Sequence, residues 1–273
     1  MRARASPNNW SAERPQASVA RASSSHGRTR ATGGATPPQP PPLLFGLKEW
    51  AALVHAASTG RVTALLRRGG VREAGFRVRA PAAALIPTSF HQKGDLAGLA
   101  RGVLSSTPPP VLAFDQRAAD PLPLTTGATF TAAWRIEGGR EDEDAGEGMG
   151  ALLEALSPYT GLGPAGWAAR AAGARTLTLL ELRACPLAGS PPASLPQATP
   201  GLWGCRSWVA LPPPPRAGEA AGGRPPPPAF ALDLGRPALQ AGAWERAAAG
   251  VRGVLGRAPR GVTVTEVDLL GGL

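Results

Sequence analysis

Cysteine, histidine and the aromatic residues are all scarce in this 273-residue chain, which holds two Cys, three His and a single Tyr, with aromatics at 5%. Each scarcity excludes something. Cys185 and Cys205 stand apart without a CxxC, so neither a disulfide framework nor a thiolate zinc site is encoded; free thiols in a reducing compartment are the simplest reading. His26, His55 and His91 lack metal-ligand spacing, and no metal site is expected. No apolar stretch of about 18 residues runs uninterrupted, so a soluble chain without a membrane span is expected. The uncharged stretch 184–205 is broken by prolines. An apolar fraction of 43%, built largely on alanine, argues against long amphipathic bundles.

Glycine (35), proline (31) and arginine are plentiful instead. Glycine and proline make up nearly a quarter of the chain, at the edge of the low-complexity range, so parts of it are expected to lie outside any packed core. The formal charge of +10 is unevenly spread. Residues 1–45 hold Arg2, Arg4, Arg14, Arg21, Arg28 and Arg30 against Glu13 alone, with abundant serine, no lysine and a proline-rich exit at Pro37–Pro42. An Arg- and Ser-rich, acid-poor leader without an apolar centre has the composition of an organelle transit peptide, which stays unfolded and basic. The expected address is the chloroplast (plastid stroma), with the mitochondrion as alternative and a merely disordered basic terminus as the plainer reading. The expected boundaries are a disordered leader over 1–45 and a single α+β domain over 46–273.

Within that domain, Leu47–Ser58 places Leu47, Trp50, Ala51, Val54 and Ala57 at helical spacing, and Thr59-Gly60 ends the helix. Strands are predicted at Arg61–Arg68, Phe76–Arg79 and Ala82–Ile86, the last closed by Pro87. A short helix around Asp95–Gly102 and strands at Val111–Phe114 and Ala128–Ile136 follow. An acidic loop over 137–147 leads to helices at Gly150–Leu156 and Pro164–Ala172 and a strand at Thr176–Leu182. Trp203–Leu211 reads as a further strand, 212–228 as a proline-rich insertion acting as a spacer, Pro237–Leu255 as a helix and Val262–Val267 as an edge strand. The sum is α+β, a mixed β-sheet with packed helices. Its helix-strand-strand-strand opening is the order of a restriction-endonuclease-like core.

The fragments LKEWA (Leu47–Ala51), LLRRGGVRE (Leu65–Glu73), FRV (Phe76–Val78), PTSFHQ (Pro87–Gln92), TLTLLELR (Thr176–Arg183) and GCRSWV (Gly204–Val209) occur in this order across most of 46–255. In order and spacing they resemble the family of cyanobacterial and plastid proteins known as domain of unknown function 1802. The resemblance implies a plastid or cyanobacterial setting, in agreement with the leader, and it carries no assigned activity. Arg79–Ala84 departs from the family, which has a polar and aromatic stretch there; a catalytic group that relatives hold in that stretch would be lost here.

Arg67, Arg68, Arg77, His91 and Gln92 form the candidate binding set for a phosphate-bearing ligand or nucleic acid. Guanidinium groups make charge-assisted hydrogen bonds to phosphate, and residues 46–136 carry more basic than acidic side chains. The favoured function is binding without turnover. The alternative is a divergent metal-dependent phosphodiesterase or nuclease, with Glu49, Glu73 and His91 as catalytic candidates and magnesium as cofactor. Its warrant is element order alone, and the acid-x-base triplet Glu181-Leu182-Arg183 has arginine, which does not readily give up a proton, in the lysine position. A third reading is a non-catalytic assembly factor that recognises a protein partner through Trp203–Trp208. Each residue also has a plain structural use: the arginines as a charged hairpin rim, Glu49 beside a helix dipole, Lys48 as a solvated neighbour, His91 as a loop cap and the tryptophans as core.

Overall fold

Strand β1 (Phe45–Trp50) runs straight into helix α1 (Ala51–Ser58), so Leu47–Trp50, expected to be helical, is extended. Pairing decides this. β1 is bonded in parallel to β3 (Ala82–Thr88) and antiparallel to β8 (Trp208–Ala210). A strand covered on both faces loses the alternation that would reveal it, and its buried residues then fit a helical period equally well. The chain thus opens strand-helix-strand, which corrects the restriction-endonuclease-like order and moves Glu49 from a helix to a strand end.

The computed structural model describes residues 42–68, 76–89, 96–138, 143–174, 176–188, 193–204, 206–212 and 230–269. The leader up to residue 41 and residues 213–229 of the proline-rich insertion lie outside them. Leu43 is already buried, and its N–H donates to the Phe230 carbonyl at 2.8 Å, so packed structure begins ahead of residue 46.

The main sheet has the order β2 (Ala64–Arg67), β6 (Thr176–Pro186), β5 (Thr126–Gly138), β3, β1, β8, with β9 (Val262–Val267) on a further stretch of β5. A separate pair joins β4 (Leu122–Leu124) to β7 (Ala193–Leu195). A 3-10 turn at Leu96–Gly98 precedes helices α2 (Arg101–Ser106), α3 (Pro109–Leu112), α4 (Glu143–Thr160), α5 (Pro164–Ala171) and, late in the chain, α6 (Ala241–Leu255). The fold is α+β with a mixed sheet. Among the described residues no helix is long and apolar enough to cross a membrane.

By its order the sheet ends at β2 on one side and β8 on the other. Yet Arg67 on β2 donates to Glu49 on β1 and to Ser207, the residue before β8. The sheet therefore curls until its ends meet, and side chains bridge the seam. Cross-strand partners place Leu47, Leu65, Leu85, Phe130, Leu180 and Trp208 on one face, inside the curl, where all are buried. Trp208 is the hub: its ring stacks on Phe76 at 5.8 Å and meets Phe45 and Phe130 edge-on at 6.3 and 6.1 Å. On the outer face, Ala84, Ile86, Cys185 and Val209 form a second core under the β4–β7 pair and Phe230–Leu232.

Other expectations are corrected by context. Phe76–Ala80 is irregular, held by the Phe76 ring and by the Arg77 carbonyl, which accepts the Trp208 indole N–H at 2.9 Å. Val111 and Leu112 are helical, because Pro109 and Pro110 fit a first helical turn, whose N–H groups are unpaired in any case. β3 passes through Pro87 because β5 pairs only with Ala82–Ala84, leaving Pro87 on an open edge. Of the acidic loop over 137–147, Glu137 and Gly138 finish β5, and α4 begins at Glu143; residues 139–142 lie outside the described set. In Trp203–Leu211 only Trp208–Ala210 is strand.

Candidate functional site

Alternation along β1 turns Glu49 inward beside Leu47, and the carboxylate is 3% exposed. Two guanidinium groups grip it. Arg67 donates to Oε2 at 2.8 Å, Arg170 of α5 donates to Oε1 at 2.8 Å, and the Trp50 backbone N–H adds a third bond to Oε1 at 2.9 Å. Burial by itself would raise this carboxyl's pKa; Arg170 and Arg67, with the Trp50 N–H, outweigh it and hold the group below its ordinary value of 4.5. Glu49 also stands at the N-terminus of α1, where partial positive charge favours an anion.

The arginines are themselves held. Arg67 donates to Ser207 Oγ at 3.0 Å and lies 5.5 Å from the centre of the Phe76 ring. Arg170 donates to the Leu66 carbonyl at 3.1 Å and covers the Trp50 ring at 4.7 Å. Lys48 points to the opposite face of β1. Expected to be solvated, it is buried, with Nζ donating to the carbonyls of Gly201, Leu202 and Gly204 at 3.3, 3.4 and 2.8 Å. It ties the loop ahead of β8 to the strand carrying Glu49.

A basic margin extends from the β2 side of the seam. Arg67, Thr178, Arg135 and Thr265 are successive cross-strand partners on β2, β6, β5 and β9, so their side chains share one face in a row across the sheet. Arg67 and Arg135 are two strands apart, roughly 10 Å between backbones. Arg135 is exposed. Arg68 is exposed as well and donates to the Ala172 carbonyl just past α5.

Of the residues predicted from sequence, the structure brings Arg67 and Glu49 into contact and leaves Arg68 and Arg77 exposed. Glu73, His91 and Gln92 lie outside the described residues. Arg170 and Arg135 were missed: both sit in unremarkable helix and strand text, and in an arginine-rich chain no motif singles them out. The tryptophan pair is split. Trp208 is core, whereas Trp203 is 46% exposed, with its indole N–H on the Gln197 carbonyl and Arg117 over its ring at 5.9 Å.

The fragments that meet here are LKEWA through Glu49, LLRRGGVRE through Arg67, FRV through Phe76 and GCRSWV through Ser207 and Trp208. A family model, domain of unknown function 1802 (DUF1802), matches residues 46–223. The chain belongs to this family. The DUF1802 match includes Lys48, Glu49, Arg67, Arg135, Arg170 and Ser207, whereas α6 and β9 lie beyond it. A solved structure, ASCH from Zymomonas mobilis, is similar at 10% identity with a TM-score of 0.33, covering 62% of this chain and 87% of that one. No curated protein matches the DUF1802 chain.

A carboxylate whose two oxygens are both occupied by guanidinium groups is an anchor. It has little left to offer a metal ion, and a depressed pKa makes it a poor proton acceptor near neutrality. Among the described residues no group of three or more His, Cys, Asp or Glu could hold a metal ion, and of the candidates for the phosphodiesterase alternative only Glu49 is among them.

Proposed function

We propose that this chain binds a phosphate-bearing ligand, a nucleic-acid strand or a nucleotide, at the sheet seam and its basic margin, without turnover. One observation carries the reading: Arg67 and Arg170 converge on a single carboxylate, Glu49, and the exposed Arg68 and Arg135 extend the positive surplus outward. Cations held by carbonyls, aromatic faces and one shared anion form a rigid positive surface, and binding to it costs little reorganisation. The occupied oxygens of Glu49 favour binding over hydrolysis. From its leader composition we place this activity in the plastid stroma; a fluorescent reporter fused behind residues 1–45 tests that address, and cytosolic retention would remove it.

The binding test is fluorescence anisotropy of the full chain with labelled single-stranded RNA, duplex RNA and a labelled nucleotide over a range of salt. Affinity is expected to fall with salt, and Arg68→Glu with Arg135→Glu to reduce the log–log slope by about one for each phosphate no longer neutralised. Affinity that does not respond to salt or to these exposed substitutions would refute the reading. Magnesium-dependent cleavage lost in Glu49→Ala would instead establish the phosphodiesterase.

A further inference from the structure

The loop that Lys48 holds carries Trp203, which among the described residues is the one aromatic side chain left exposed, at 46%. We propose that Trp203 is a stacking platform for an unpaired base, so that the ligand of the seam is a single-stranded nucleic acid. This rests on the phosphate-binding reading above and narrows its ligand.

The exposed ring is firmly held. Leu202 beside it is 1% exposed and packed in the outer core, and Lys48 Nζ donates to the carbonyls before and after residue 203, those of Leu202 and Gly204, at 3.4 and 2.8 Å. The indole N–H is committed to the Gln197 carbonyl at 3.1 Å, and Arg117 stands over the ring at 5.9 Å. With its donor used, the side chain has only its π surface to offer. A fixed aromatic surface beside a guanidinium group is what an unpaired base stacks on, and binding need not order it first.

The residue that receives the indole N–H is itself incomplete. Gln197 Nε2 donates to the carbonyls of Gln116 and Ala119, whereas Gln197 Oε1 is buried without a partner. Gln116, 3% exposed, likewise has a buried Nε2 with no acceptor. One donor and one acceptor are thus unmade in the same network, each at a cost that a partner would remove. A base edge carries acceptor and donor groups side by side; a hydrocarbon carries neither, and an ionised phosphate only acceptors.

The platform is continuous with the seam. Lys48 donates its backbone N–H to the Ser207 carbonyl at 2.9 Å and its ammonium to Gly204, so one lysine spans from the seam to the platform loop. Arg206, exposed between them, carries the basic surface across. A duplex hides the faces of its bases within the stack; a single strand brings phosphates to the seam and a free base face to Trp203.

Fluorescence anisotropy of the full chain with a single-stranded oligoribonucleotide and with an abasic strand of equal length tests the platform. Wild type should bind the base-bearing strand about tenfold more tightly. Trp203→Ala should bind both strands at the abasic level, and Trp203→Phe should keep most of the preference. Arg68→Glu with Arg135→Glu should weaken both strands alike. Salt-dependent binding without preference for bases, or a preference that survives in Trp203→Ala, overturns the platform while leaving the anion surface standing. Absence of salt-dependent binding to either strand overturns both.

Discussion

Glu49 matters most for what its removal would leave behind. Arg67 and Arg170 are nearly nine-tenths covered, and without the carboxylate they would face one another as largely buried like charges. Breaking a buried pair from one side typically costs about 3–5 kcal/mol, more than the intact pair contributes, because the remaining charge is uncompensated. Glu49→Gln should lower the urea midpoint accordingly with the m-value unchanged. The pH dependence follows from the depressed pKa. The stabilisation is fully present above the unfolded value near 4.5 and is lost as pH falls through the lower folded value, so wild type loses stability on the acid side and Glu49→Gln should lack that part of the loss. Cys185 behaves in the opposite sense. Burial pushes its thiol up, Arg183 opposes the shift in part and Asp233 adds to it, so the group stays protonated at neutral pH. In a Cys205→Ser background, disulfide-reagent labelling of Cys185 should be about a hundredfold slower than in the urea-unfolded chain; equal rates would contradict its place in the outer core.

Among the elements, α5 carries the most consequence for its length. It seats on the 3-10 turn through two glycines: the Gly163 N–H donates to the Gly98 carbonyl, and a Cβ on Gly166 would run into that same carbonyl. Gly161, with φ +68°, turns the chain between α4 and α5 and leaves no room for a side chain beside Val62, Val103 and Leu53. Gly166→Ala should push α5 outward and take Arg170 from Glu49, destabilising by about 1–3 kcal/mol and weakening phosphate-ligand binding, although residue 166 touches no ligand. Stability lost without any change in binding would show that Arg170 is not part of the anion surface. Elements whose own residues dominate were readable from sequence: Thr176–Leu182 with its leucine and threonine run, Pro164 opening α5, and Val262–Val267. Those decided by neighbours were not. β1 is hidden by cover on both faces, Phe76–Ala80 answers to Trp208, and the alternation of Phe76–Arg79 had no partner strand to use it.

At the scale of the molecule, fragments scattered along the sequence converge at Glu49, Arg67, Phe76, Ser207 and Trp208. What composition hid was which arginines matter: Arg170 reaches the site from more than a hundred residues away, and only curling of the sheet reveals it. Arg67 was legible because it stands in a fragment with other polar residues, whereas Lys48 was misread because nothing local foretells a lysine folded back under carbonyls of the Gly201–Gly204 loop. A closure made of ion pairs has a vulnerability that a backbone ladder lacks. The guanidinium ion is itself the head of an arginine side chain, so at concentrations well below those that unfold the chain it can compete for Glu49, while uncharged urea cannot. Tryptophan emission should register that competition as a shallow early transition in guanidinium chloride, absent in urea and absent in Glu49→Gln, as Trp50 and Trp208 sense the strands parting before the rest of the protein yields.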